Sequence, residues 1–141
     1  MSTKRARVKP RDVDYQRLLE MRTGLRRFLH WSEELAHSVG LTPMQHQLLL
    51  AVRGHFDPRG PAISDVAQSL LVRHNSAVEL VDRAEGAGLV RRAADEDDAR
   101  VVRLMLTAEG SERLEALAAA TMEEVARLAP RMEPLWAGLE E

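Results

Sequence analysis

The sequence predicts a mainly α-helical fold with a small β wing: a winged helix-turn-helix domain flanked by N- and C-terminal dimerisation helices. Three observations predict it. Ser64 to Gly110 reads as helix, turn, helix and two-stranded hairpin, closing on the Leu-Thr-x-x-Gly step Leu106-Thr107-Ala108-Glu109-Gly110. The segments on either side repeat their apolar residues at helical spacing. Hydrophobic residues make up 45% of the chain but aromatics only 4%, so Leu, Val and Ala must build the core, and these suit helix-on-helix packing.

Residues 1–11 carry Lys4, Arg5, Arg7, Lys9 and Arg11 with no acid among them. They are expected to form a basic flexible arm, either a solvated tail or a strand of charge that touches phosphates or a minor groove. From Asp12 to Val39 the residues Leu18, Met21, Leu25, Phe28, Leu29, Leu35, Ala36 and Val39 line one face of a helix roughly 40 Å long. Gly40 stands where a C-terminal stop is expected.

Thr42-Pro43-Met44-Gln45 is a start signal: Thr42 caps, Pro43 suits the first helical position and Gln45 completes a capping box. That helix reaches about Arg53, and Gly54 to Pro61 is a loop punctuated by Asp57-Pro58 and Gly60-Pro61. Ser64 is expected to cap a helix from Asp65 to about Leu71. A second helix follows from about Asn75 to Ala87, with Ala77, Leu80, Val81 and Ala84 as its buried stripe and Gly88 as its stop. Leu89 to Ala93 and Arg100 to Leu106 read as the hairpin strands. Thr107 caps a last long helix to about Ala129, which Pro130 is expected to break before a short final helix from Met132 to Leu139.

The organisation expected is one domain over residues 12–141, with a DNA-binding core at about 42–107 and dimerisation helices at about 12–39 and 108–141. A first helix with more apolar surface than the small core can cover, and apolar Leu128, Met132, Leu135, Trp136 and Leu139 at the other end, point to pairing across a two-fold axis.

Several function classes are excluded. The chain has no cysteine, so disulfides and Cys-based zinc sites are out. His30, His37, His46 and His55 lack tight ligand spacing, so no metal is expected, and no cofactor either. No phosphate loop or activated nucleophile appears, so no enzyme is expected. No apolar run approaches the ~20 residues of a membrane span, and the basic N-terminus lacks an apolar signal core. A cytoplasmic protein is the expectation.

The chemistry therefore rests on the helix-turn-helix and its wing. The second helix enters a major groove, with its first residues toward base edges. Those are His74, Asn75, Ser76, Val78 and Glu79. Asn75 and Ser76 can hydrogen-bond bases and Val78 can touch a thymine methyl. Glu79 either accepts from a cytosine amino group or, the simpler reading, faces solvent. Arg73, Arg83, Arg91 and Arg92 can meet phosphates, although Arg83 equally suits an ion pair with Glu79 four residues earlier.

The wing complicates this. Ile63 to Arg103 holds six Arg (73, 83, 91, 92, 100, 103) against eight acids (65, 79, 82, 85, 95, 96, 97, 98). One way out is that Asp98 holds the Arg100 side chain in place, toward a narrow minor groove, while the other acids point to water.

Ala87-Gly88-Leu89-Val90-Arg91-Arg92, Asp98-Ala99-Arg100 and Leu106-Thr107-Ala108-Glu109-Gly110 resemble the MarR family of bacterial transcription regulators. So do Leu80-Val81-Asp82-Arg83 and Leu41-Thr42-Pro43-x-Gln45. The resemblance implies an obligate homodimer, paired through its first and last helices, on pseudo-palindromic operator DNA, usually as a repressor. It implies that Arg100 enters the minor groove and Asp98 orients it. It also implies, for many members, a small phenolic or lipophilic ligand that weakens DNA binding. His30, Trp31, Met44, His46, Gln47 and His55 are candidates to line a cleft for such an aromatic ligand. Packing roles for Trp31 and Met44, with exposed His residues, are the alternative. The chain departs from the family pattern at Glu79, where many members are polar or basic, and at Ala99, where an Arg is frequent.

The function expected is a dimeric DNA-binding regulator, a repressor released from its operator by a small molecule. The alternative is a winged-helix protein-interaction module that has lost strong DNA binding.

Overall fold

The computed structural model describes residues 9–137. Most of the expected basic arm, and Leu139 of the expected final helix, lie outside the described residues. The elements run α1 (Asp12–Ser38), α2 (Pro43–Arg53), α3 (Ile63–Leu70), α4 (His74–Gly86), β1 (Val90–Ala94), β2 (Val102–Leu106) and α5 (Ala108–Ala137). They form two compact units: Ser32–Thr121, and the flanking segments up to Trp31 and from Met122.

The first of these, the winged unit, contains the expected core at 42–107 together with the last residues of α1 and the first of α5. Its buried cluster joins Ala36, Leu41, Leu48, Leu49, Val52, Val66, Val81, Ala84, Leu89, Val90, Leu104, Leu114 and Leu117. Each Leu or Val buried there contributes about 1.5–3 kcal/mol relative to exposure. The capping box of α2 forms as the sequence predicts: Thr42 Oγ1 accepts from the Gln45 N–H (3.1 Å), and the Thr42 N–H donates to Gln45 Oε1 (3.0 Å). Gly40 and Gly88 take positive φ (76° and 75°) just past α1 and α4.

The start of α3 differs from the sequence reading. Ser64 is not the cap; the helix begins at Ile63 with Ala62 in the cap position. Ala62 has no side-chain acceptor, and the Asp65 carboxylate instead reaches back to accept the Ala62 N–H (2.9 Å). The hairpin strands pair antiparallel from Val90 against Leu106 to Ala94 against Val102. The Leu104 N–H also donates to the Pro61 carbonyl (2.9 Å), which ties the loop before α3 to the wing.

The Leu-Thr-x-x-Gly step has a geometric basis. Thr107 Oγ1 accepts from the Gly110 N–H (3.0 Å) and donates to the Gly88 carbonyl (2.6 Å), so it caps α5 and closes the hairpin together. Gly110 is buried, and a Cβ there would run into the Leu89 carbonyl oxygen.

The second unit pairs the earlier part of α1 with the later part of α5. Met132 packs its sulfur against Gly24, where any Cβ would occupy the same space. Phe28 and Trp31 stack with ring centroids 6.0 Å apart. None of its described residues is buried. The sequence expectation that Pro130 breaks the last helix is wrong: α5 continues to Ala137 with Pro130 and Pro134 inside it. Both prolines are exposed and four residues apart. They free the carbonyls of Ala126 and Pro130 along one face, where water can satisfy them, so helix continuity survives the missing donors.

Candidate nucleic-acid interface

α3, its turn and α4 form the helix-turn-helix. The turn closes at Leu71, which takes a left-handed conformation (φ 55°) and is almost fully exposed. Ala77, Val81 and Ala84 of α4 are buried and Leu80 packs partly against the core, as the periodicity predicts. That seating turns His74, Asn75, Ser76, Glu79 and Arg83 outward to full exposure and leaves Val78 half-buried. Arg73 occupies the N-cap position without a side-chain cap, so the first N–H groups of α4 have no side-chain acceptor. Arg73 and Arg83 form no ion pair among the described residues, so the pairing of Arg83 with Glu79 does not occur. Glu79 is exposed, a placement that suits either of its two readings.

Arg92 is not available to a phosphate. Its Nη1 meets Glu85 at 2.7 Å, its Nη2 meets Asp82 at 2.5 Å, and its backbone N–H donates to Glu85 Oε2 (3.1 Å). This clamp fastens β1 to α4 and holds two acids of α4 on one guanidinium. Arg91 stays exposed and unpaired by any acid, with Nη2 directed to Met105 Sδ on the opposing strand (3.6 Å).

At the wing tip, Asp98 Oδ1 accepts from both the Arg100 backbone N–H (3.0 Å) and Nε (3.1 Å), and Oδ2 accepts from Nη2 (3.3 Å). The Arg100 guanidinium and N–H hold the Asp98 carboxyl below its ordinary range. Arg100 itself is 90% exposed.

The expectation that the remaining wing acids point to water fails at Asp95. Its side chain is only 5% exposed and its Oδ1 accepts from Arg103 Nε (3.2 Å) and Arg59 Nη1 (3.3 Å). Burial pushes its carboxyl up, but the Asp98 N–H, Arg103, the Asp97 N–H and Arg59 together pull it below the usual value. Asp97 shares Arg59 at 3.4 Å. Asp57 completes the cluster, drawn down to about 2 by the side chain and N–H of Arg59. Sequence reasoning placed Asp57 only as a loop breaker and Arg103 only in the charge count, and it missed Arg59, which lies outside that count and reaches Asp95 and Asp97 across 36 and 38 residues.

The ligand candidates separate. Trp31 lines an open cavity of about 780 Å³ with Arg27, Phe28, Leu128 and Met132 in the helical unit. His55 lines another of about 840 Å³ in the winged unit, with Leu50, Arg53, Phe56, Leu106 and Leu114. His30, Met44, His46 and Gln47 line neither. His46 is buried, and that burial lowers its pKa. No group of three His, Asp or Glu among the described residues is placed to hold a metal, and no helix of the described residues is long and apolar enough to cross a membrane.

Residues 39–101 match the model of the MarR family, which shows independently the resemblance read from the sequence. No curated protein sequence matches the chain. Among solved structures, MepR of S. aureus in complex with DNA superposes with a TM-score of 0.66 at 22% identity, covering 82% of this chain and 90% of that one. CouR from Rhodococcus jostii RHA1, bound to p-coumaroyl-CoA, gives 0.67 at 25% identity over 77% of this chain and 74% of its own. YusO from Bacillus subtilis gives 0.63 at 25% identity over 92% and 93%. The winged helix-turn-helix fold is thus shared with MarR family regulators.

Proposed function

We propose that this chain is a homodimeric transcriptional regulator that binds double-stranded operator DNA through α4 and the wing, a repressor released by a small-molecule ligand. One observation carries the reading. The start and outward face of α4 present uncapped N–H groups with Arg73 and Arg83 free of acid partners, while several acids that made the segment look hostile to DNA are held by other guanidinium groups. Asp82 and Glu85 are held by Arg92, Asp95 by Arg59 and Arg103, and Asp98 by Arg100. A helix N-terminus and free guanidinium groups anchor phosphates, and exposed Asn75 and Ser76 are left to read base edges.

The solved MepR–DNA complex supports the DNA partner, and the CouR complex with p-coumaroyl-CoA supports a small-molecule effector. The cavity of about 840 Å³ beside His55 is of ligand size. The unburied apolar face of the helical unit supports self-association. In the dimer the two α4 helices would sit about 34 Å apart, one turn of DNA.

The testing experiment is a titration with duplexes that the purified protein enriches from a random-sequence pool, repeated across salt. Affinity is expected to fall log-linearly with salt, by a slope of about −0.9 for each phosphate contacted. No enrichment, or a flat salt response, refutes the proposal. It would favour an interaction module, to which the exposed, unpaired Glu79 points.

A further inference from the structure

The acidic run Asp95-Glu96-Asp97-Asp98 contains one residue unlike the rest. Glu96 is exposed and the Asp97 side chain is 86% exposed, whereas Asp95 is closed in. Its carboxylate accepts four hydrogen bonds. Oδ2 takes the backbone N–H groups of Asp97 (3.3 Å) and Asp98 (3.1 Å), and Oδ1 takes Arg103 Nε (3.2 Å) and Arg59 Nη1 (3.3 Å). Its own N–H donates to the Val101 carbonyl (2.9 Å), which closes the base of the loop.

Both guanidinium groups are themselves fixed. Arg59 Nη2 lies 2.9 Å from Asp57 Oδ2, and Arg103 Nη1 donates to the Gly60 carbonyl (3.1 Å). The residue whose N–H Asp95 holds, Asp98, is the one that grips Arg100 at three points. A continuous set of contacts therefore runs from the loop before α3, through Asp95, to the lone cation at the wing tip.

We infer that Asp95, held by Arg59 and Arg103, is a positioning residue for the DNA-contacting Arg100, setting the turn from which Asp98 presents that guanidinium. The inference rests on the DNA-binding reading above. An Arg at a groove must be aimed as well as charged, because ordering a long side chain on contact carries an entropic cost. The Asp95 turn meets part of that cost before DNA arrives. Pairing with two cations also removes from the tip the repulsive charge of Asp95 itself.

The test is a double-mutant cycle on duplexes enriched by the wild-type protein. Arg59→Gln is used because position 59 is 47% exposed and outside the hairpin, and Asp95→Asn because it keeps the size and acceptor of the side chain. Each is expected to weaken DNA binding by about tenfold alone, and to add almost nothing when Arg100 is already Ala. Arg59→Lys, which keeps the charge facing Asp95, is expected to recover most of the affinity. Amide exchange at Asp97 and Asp98 should quicken in Asp95→Asn while Val81 and Leu104 stay protected. Losses that remain equally large in the Arg100→Ala background overturn the inference, since a general structural role would persist there. A wild-type protein that enriches no duplex overturns the DNA-binding reading itself and, with it, this role.

Discussion

The winged unit and the helical unit use their apolar residues in opposite ways. Among the described residues every buried apolar side chain belongs to the winged unit, while nine of the thirteen large apolar residues that stand exposed belong to the helical one. Val13, Leu18, Leu19, Leu25 and Leu29 on α1, and Met122, Val125 and Trp136 on α5, are among those nine. The winged unit encloses its own core and needs no partner to hide it. The helical unit offers two helices and no enclosed interior, the condition of a surface that gains stability by association. The contrast matches the two jobs proposed above: a reader whose charges are already arranged, and an adhesive element whose burial a second copy would complete.

The strongest way to break this comparison is on the helical side. Leu25→Glu with Leu29→Glu is expected to abolish the proposed dimer and to lower DNA affinity by about 10²–10⁴-fold, the advantage that joining two binding modules confers. Sedimentation and DNA titration check it. The melting of the winged unit should be unaffected, and an intact dimer would count against this face.

Next in size is a change on the winged side. Gly110→Ala sets a Cβ against the Leu89 carbonyl oxygen, and should destabilise that unit by about 2–4 kcal/mol. Denaturant unfolding measures this. A loss below about 1 kcal/mol would mean that the start of α5 shifts freely, and the winged unit would be less rigid than its packing implies.

Arg100→Ala sharpens the comparison further, since it should touch one unit only. DNA binding is expected to weaken by about 1–3 kcal/mol while sizing chromatography still reports a dimer. Unchanged affinity would remove Arg100 from the interface.

The smallest effect is that of acid. Asp57, drawn to about 2, and Asp95, also lowered, are carboxylates with folded pKa values below the ordinary 3.8. Their stabilisation is therefore complete above about pH 4 and is lost as pH falls toward 2. Amide exchange at residues 57–60 and 95–101 should rise in that window before α2 and the first half of α5 respond. If all segments open together, the cluster does not act as a separate clamp.

Much of the fold was legible because its signals are local. The Thr42 capping box, the Gly40 and Gly88 stops and the stripe of Ala77, Val81 and Ala84 each depend on residues within one or two helical turns. The same locality explains the failures. Ser64 looked like a cap because its residue type suits one, whereas Asp65 supplied the hydrogen bond to Ala62 from the other direction. Pro130 looked like a break because the cost of its missing donor is local, but both prolines face outward and the helix runs on.

By itself the sequence determined the order of elements, the outward face of α4 and the placement of Arg100 beside Asp98. Spacing and short-range hydrogen bonding decide all three. Only the tertiary structure decided which charges remain free. Arg59 reaches Asp95 across 36 residues and Arg92 reaches Asp82 across ten, so a segment that counts as acidic along the chain presents unpaired cations in space. The physical reason is that charges cancel by distance through the fold, and chain separation does not measure that distance.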